Sequence, residues 1–140
     1  SSMLHFTSSD IVICAAAVSD YKPQSSAEQK IKKTQGTPTI NLVETKDILA
    51  TMGQSKENQF LVGFALETNN EVLNAKYKLK RKNLDLIILN SLKDKGAGFQ
   101  YDTNKITILT KSNKMLSFEL KSKQEVAQDI VNTILSEIDA

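Results

Sequence analysis

At 140 residues, with 40% hydrophobic and 24% charged side chains, the chain can bury a core of its own and reads as one ordinary domain, residues 1–140. A net charge of +2 is too small to argue for nucleic acid, no apolar run approaches the roughly 18 residues of a membrane span, and no signal peptide opens the chain. The single cysteine excludes an internal disulfide framework and fits a reducing cytoplasm.

Residues 1–10 are polar, with Leu4 and Phe6 as packing candidates. His5, the sole histidine, reads as a surface residue rather than a metal ligand. Ile11-Val12-Ile13-Cys14 is too short for a helix and rich in β-branched residues, which predicts a buried strand and an inert Cys14 thiol. Ala15, Ala16 and Ala17 follow, then Ser19, Asp20 and Pro23. Small side chains at a strand end let a ligand approach the backbone, and a carboxylate just beyond is where open α/β sheets hold a ribose hydroxyl. Further on, Lys30-Ile31-Lys32-Lys33 sets three ammonium groups in a segment with no apolar period. Strand, small-residue floor, carboxylate and mobile cationic arm together suit a nucleotide with its phosphates towards the lysines.

Gly36-Thr37-Pro38 marks a turn. Thr39-Ile40-Asn41-Leu42-Val43 alternates as a strand with one apolar face, an edge that needs cover and so predicts pairing with a partner subunit. A short helix is expected over 45–52, closed by Gly53, with Ile48, Leu49 and Met52 inward. Residues 60–65 form the second apolar strand, and Thr68 is the expected cap of a helix running to about Lys82, with Val72, Ala75 and Leu79 at helical spacing. Residues 84–90 form the third, polar at its tip, Asn90. A strand–helix–strand of this length is a βαβ unit, so these two strands should be parallel.

The segment 91–104, with Gly96 and Gly98, reads as a loop. Residues 105–110 and 115–120 alternate around Ser112-Asn113-Lys114, which predicts a hairpin. Ser122-Lys123-Gln124-Glu125 has the form of a capping box, opening a final helix striped by Val126, Ile130, Ile134 and Ile138.

The basic run Lys76–Lys82 lies on a predicted helix, whose dipole favours lysines near its C-terminus, so it reads as a solvated face. A nucleic-acid binder is the competing reading, but no nucleic-acid motif accompanies the run. There is no GxGxxG, no P-loop and no Ser/His/Asp set. Spacing alone stops at an α/β domain with a nucleotide crevice.

Four segments in order carry more: AAAVSDYKP at 15–23, KIKK at 30–33, VGFALETN at 62–69 and KLKRKNLDLIILN at 78–90, with YDTN at 101–104. Together they resemble the phosphopantothenate–cysteine ligase (phosphopantothenoylcysteine synthetase) family. In many bacteria that ligase is the C-terminal half of a bifunctional coenzyme A biosynthesis protein, the DNA/pantothenate metabolism flavoprotein. The resemblance implies a Rossmann-like three-layer α/β sandwich with a mainly parallel sheet, a C-terminal β-hairpin and a protruding dimerisation arm. It also implies a cytoplasmic homodimer formed through residues 36–45, with no nucleic-acid or membrane partner.

The implied reaction uses CTP to activate the carboxylate of 4′-phosphopantothenate as an acyl-cytidylate, which cysteine then attacks. Carried over by position, Ala16 and Ala17 would present backbone groups to the cytosine and Asp20 would meet the sugar. Phe64 and Asn90 would line the base. Lys30 would be the catalytic lysine, meeting the triphosphate and then the acyl-phosphate, with Lys32 and Lys33 on the same mobile loop. Mg²⁺ would share the phosphate charge, with no resident metal site, and FMN would belong only to a fused decarboxylase half. The family's opening glycine-rich strand–loop–helix has no counterpart among Gly36, Gly53, Gly63, Gly96 and Gly98. The chain is therefore expected to be the C-terminal portion of the ligase and inactive alone. The alternative is a non-catalytic nucleotide-binding or dimerisation module of the same fold.

Overall fold

The computed structural model describes residues 3–26, 29, 37, 39–91 and 102–140. Lys30, Lys32 and Lys33, the turn residues Gly36 and Pro38, and Gly96 and Gly98 of the expected loop lie outside the described residues. The elements in chain order are α1 (Met3–Phe6), β1 (Ile11–Cys14), β2 (Tyr21–Pro23), β3 (Leu42–Glu44), α2 (Ile48–Gln54), β4 (Phe60–Glu67), α3 (Glu71–Arg81), β5 (Leu86–Ser91), β6 (Thr103–Asn104), β7 (Ile106–Thr110), β8 (Met115–Ser117), β9 (Lys121–Ser122) and α4 (Lys123–Ile138). The chain divides into two compact units: Ser1–Ala15 with Ile48–Ala140, and Ala16–Asp47.

The first unit is built on a five-stranded sheet of order β1-β4-β5-β7-β8. β1, β4 and β5 are parallel neighbours, as the βαβ pattern predicts, while β7 pairs antiparallel with both β5 and β8. Four of the five strands therefore run the same way. The apolar runs of β4 and β5 follow from this position, since a central parallel strand is covered on both faces. Leu61, Ala65, Ile87 and Leu89 pack with Phe6, Met52, Ala75 and Leu79 from α1, α2 and α3. Val62, Leu86, Ile88, Ile106 and Ile108 pack with Val126, Ile130 and Ile134 of α4. Helices on both faces make a three-layer α/β sandwich. Each large side chain fully buried here contributes about 1.5–3 kcal/mol relative to exposure.

Several local expectations change in this context. β1 is an edge strand: Ile11 and Ile13 remain 40% and 45% exposed, and only Val12 and Cys14 pack on the core. Burial pushes the Cys14 thiol up from its ordinary range, and its Sγ lies 3.8 Å from Met52 Sδ, consistent with an inert thiol. Of the two N-terminal candidates, Phe6 is buried and Leu4 exposed. Gly53 does not close α2 but sits inside it, and the position requires glycine because a Cβ there would lie 1.8 Å from the Lys82 carbonyl oxygen. Asn70, in the left-handed region at φ 46°, is the cap of α3 rather than Thr68, and Val72 lies towards solvent.

The end of the α2–β4 connection is fastened by a carboxylate. Asp85 accepts a hydrogen bond from Leu61 N–H (2.7 Å) and pairs with the nearly buried ammonium of Lys56. The β7–β8 hairpin turns through Asn113 at φ 65°. The capping box is present: Ser122 Oγ accepts from Glu125 N–H (3.3 Å), and Glu125 Oε2 accepts from Ser122 N–H (3.0 Å). Ser122 Oγ also donates to Glu125 Oε2 (2.6 Å), and this side-chain bond first, then the one from Ser122 N–H, holds the Glu125 carboxyl below its usual range. Ile138, at the end of the stripe, is exposed.

In the second unit β2 and β3 form an antiparallel pair, with Tyr21 opposite Glu44 and Pro23 opposite Leu42. The strand expected over 39–43 is displaced to Leu42–Glu44 and pairs with its own chain along one edge. Pro23 fits there because it ends the short ladder, where a missing N–H costs least. Thr45 closes the unit, its N–H donating to Asp20 O (2.8 Å) and its hydroxyl to Ser19 O (2.6 Å). Tyr21, Ile40 and Leu42 are exposed. No helix among the described residues is long and apolar enough to cross a membrane.

Candidate functional site

In an open sheet of this kind ligands bind outside the carboxyl ends of the parallel strands. Here those ends belong to β1, β4 and β5. Phe64 stands opposite Ile88, and two residues further Leu66 stands opposite Asn90. Side chains alternate along a strand, so Phe64 and Asn90 share one face, the face covered by α4. Phe64 is half-buried and packs against the core on that side.

Asn90 is oriented by a second asparagine. Asn104 Oδ1 accepts from Lys105 N–H at 3.0 Å, and Asn104 Nδ2 donates to Asn90 Oδ1 at 3.0 Å. The backbone N–H can only donate, so it determines which end of the Asn104 amide is oxygen. Asn104 must then donate to Asn90, and the Asn90 amide keeps its NH₂ as its other end. Asn104 is in turn held by the β6–β9 pair, opposite Lys121, directly before the capped start of α4.

Glu67, in the VGFALETN segment, has a different task. It stands opposite Ser91, one residue past the Leu66–Asn90 pair and so on the other face. There Asn74 Nδ2 donates to its Oε2 (3.2 Å), and the Lys78 ammonium lies 2.6 Å from Oε1. The Oε1 contact falls outside hydrogen-bond geometry, so it is an ion contact rather than a directed bond. Glu67 ties β4 to α3 and does not face the Asn90 side.

Ala16, Ala17 and Asp20 belong to the second unit, where all three are exposed and lie outside any helix or strand. Asp20 uses its backbone carbonyl to hold Thr45. Its carboxylate takes no part in that bond. The first unit thus brings Phe64 and Asn90 together. Lys30, Lys32 and Lys33 lie outside the described residues. Asn104 had no role assigned from the sequence, although the YDTN segment contains it; its partner stands 14 positions away. Among the described residues no group of three His, Cys, Asp or Glu side chains could hold a metal ion.

Residues 1–138 match the family model described as the DNA/pantothenate metabolism flavoprotein C-terminal domain. The chain belongs to this family. It is 57% identical over 132 residues to a protein named cysteine/cysteine sulfinic acid decarboxylase, from an unknown prokaryotic organism, covering 94% of this chain and 37% of that protein. It is 43% identical to the coenzyme A biosynthesis bifunctional protein CoaBC of Bacillus subtilis strain 168, covering 92% of this chain and 32% of the relative. The chain therefore spans about a third of the length of the curated relatives it matches. Among solved structures, the C-terminal domain of a CoaBC protein superposes with a TM-score of 0.77 at 31% identity, over 98% of this chain and 59% of that one. A Cab2 mutant in complex with phosphopantothenate-cysteine shares the fold, with a TM-score of 0.62 at 22% identity, over 89% of this chain and 44% of that one.

Proposed function

We propose that this chain carries the nucleotide-binding portion of a phosphopantothenate–cysteine ligase acting in coenzyme A biosynthesis. The supporting observation is the Phe64–Asn90 face at the carboxyl ends of β4 and β5, with Asn90 oriented by Asn104, in a chain whose relatives include CoaBC. In the proposed reaction the carboxylate of 4′-phosphopantothenate attacks the α-phosphorus of CTP. The P–O bond to the β-phosphate breaks, releasing pyrophosphate and leaving an acyl-cytidylate. The amine of cysteine then attacks the acyl carbon, loses a proton, and displaces CMP to give the amide.

The residues of this chain divide the work by chemistry. Phe64 would meet one side of the pyrimidine ring, and the Asn90 NH₂ would donate to a ring carbonyl or ring nitrogen. Alanines at 16 and 17 would let backbone groups reach the exocyclic amine. A carboxylate repels phosphate and accepts from hydroxyls, so Asp20 belongs at the ribose. Lys30, flanked by Lys32 and Lys33, would neutralise charge building on the non-bridging oxygens, a contribution commonly worth about 3–4 kcal/mol per group. Because the described residues offer no acidic cage, Mg²⁺ would enter bound to the triphosphate as part of the substrate, and no step here depends on a protein-held ion. The exposed second unit, through residues 36–45, would join two copies.

Calorimetry with CTP, and in parallel with ATP, each with Mg²⁺, tests the reading. Saturable CTP binding that is lost in Lys30→Gln or Asp20→Ala is expected. Complete indifference to nucleotides would replace the ligase reading with a non-catalytic module of the same fold. A second reading rests on the relative named as a decarboxylase, the more similar of the two in sequence. It is favoured if the protein releases carbon dioxide from cysteine sulfinic acid with no need of CTP.

A further inference from the structure

The run Lys76–Lys82 has no part in the proposed reaction, yet two of its lysines border a hollow. At the amino end of β5, a cavity of about 460 Å³ is lined by Lys76, Lys80, Lys111 and Lys114 over a floor that includes Leu79, Leu84 and Leu109. No carboxylate lines it. The β5–β7 register fixes its distance from the nucleotide face: Leu86 pairs with Thr110 at the cavity end, Asn90 with Ile106 at the other. The two sites therefore stand at opposite ends of one strand.

The helix dipole accounts for a cation near the end of α3. It does not account for Lys76 a turn earlier, nor for Lys111 arriving from the β7–β8 turn onto the same hollow. Lys76 and Lys80 are four apart, a like-charge spacing that weakens a helix, and neither has an ion-pair partner among the described residues. Lys114 is partly neutralised by Glu137 at 2.8 Å. Among the described residues the Lys111 ammonium meets only a neutral acceptor, Asn83 Oδ1 at 3.4 Å, and Asn83 Nδ2 in turn donates to Gly53 O at 3.0 Å. A concave, low-dielectric wall lined by one sign of charge concentrates the potential and draws in the opposite sign. Its volume lies within the range of small-molecule sites.

The geometry points to a second ligand site in this cavity, for a small molecule bearing two or more phosphoryl groups and an apolar portion. The leucine floor takes the apolar part. Lys76, Lys80 and Lys111 meet the phosphoryl oxygens through charge-assisted hydrogen bonds. Lys78 and Lys82 of the same run do not line the hollow, and Lys78 is paired with Glu67, which favours a small molecule over nucleic acid, since the latter would need a basic stripe continuing past the cavity. This site is independent of the ligase reading.

The test uses inorganic triphosphate and ADP as probes, titrated into the isotope-labelled chain at low salt. Expected are saturable one-to-one binding and amide shifts concentrated at residues 76–83 and 109–114. The triple variant Lys76→Gln/Lys80→Gln/Lys111→Gln should weaken both probes about tenfold or more, with an unchanged far-ultraviolet spectrum and unchanged CTP binding. Lys111→Gln alone serves if the triple variant folds poorly, and should weaken the triphosphate severalfold. The site is refuted by non-saturating binding, by shifts confined to Phe64 and Asn90, or by equal affinity in these variants. Affinity that grows with oligonucleotide length would assign the lysines to nucleic acid instead.

Discussion

Asn90 takes its amide orientation from a neighbour it could not choose alone. An asparagine amide can be turned either way, and a free one would present donor and acceptor equally to a ring. The Lys105 N–H, by donating to Asn104, removes that ambiguity through two bonds of 3.0 Å. Asn104→Ala should therefore raise the Kd for CTP about tenfold, near the ~1.4 kcal/mol of one well-made hydrogen bond. Asn104→Asp is the sharper variant. Its carboxylate still accepts from Lys105 but cannot donate, so Asn90 must turn its NH₂ inward and present oxygen to the ligand. Calorimetry should then show lower affinity for CTP and a changed ratio of CTP to UTP binding; unchanged values in both variants would mean that Asn104 does not position Asn90. The tip of an apolar strand could be read from sequence, and with it Asn90. The orienting partner could not, because β6 brings it alongside only after the sheet has formed.

Helix ends show where local chemistry suffices. Ser122 and Glu125 are three residues apart and satisfy each other without help from the fold, so the capping box is legible in the chain. Glu125 is held below its usual carboxyl range, so its contribution is complete above the unfolded-state value and is lost as pH falls through the lower folded value. The melting-temperature advantage of the natural chain over Glu125→Ala should accordingly be present near pH 7 and shrink as pH falls below the ordinary glutamate range of about 4.3; an advantage that grows on acidification would contradict the box. The start of α3 and the end of α2 differ from the expected positions, each for its own reason. Asn70 enters the left-handed region without any side-chain cap, and Gly53 is kept small by the carbonyl of Lys82, the residue that follows α3. In an isolated helix Gly53→Ala would gain about 1 kcal/mol. Here the clash should reverse the sign, lowering stability by about 1–3 kcal/mol, measured as a lower urea midpoint with an unchanged slope.

Two units of unequal size make up the described chain, and they differ in how they are held. The larger has a sheet covered on both faces; the smaller rests on one short strand pair and leaves Tyr21, Ile40 and Leu42 in solvent. A two-stranded ribbon is marginal by itself in water, which agrees with the proposal that residues 36–45 join two copies. Leu42→Lys should convert a sedimenting dimer to a monomer without lowering the melting temperature of the sheet-based unit. An unchanged sedimentation coefficient would discard the dimer through this segment.

Apolar period, β-branched runs and cap residues act over a few positions, and so the strands β4 and β5, the helix between them, the hairpin and the capping box are written in the order of residues. The family motifs are equally local strings, and they carried the ligase reading. Three-dimensional packing decided the rest: that β1 lies at an edge with Ile11 and Ile13 half in water, that Glu67 ties β4 to α3 and does not face Asn90, that Asn104 orients Asn90, and that lysines from a helix and a turn border one hollow. Each of these depends on which residues distant in the chain become neighbours, and that is settled by sheet order and register rather than by spacing.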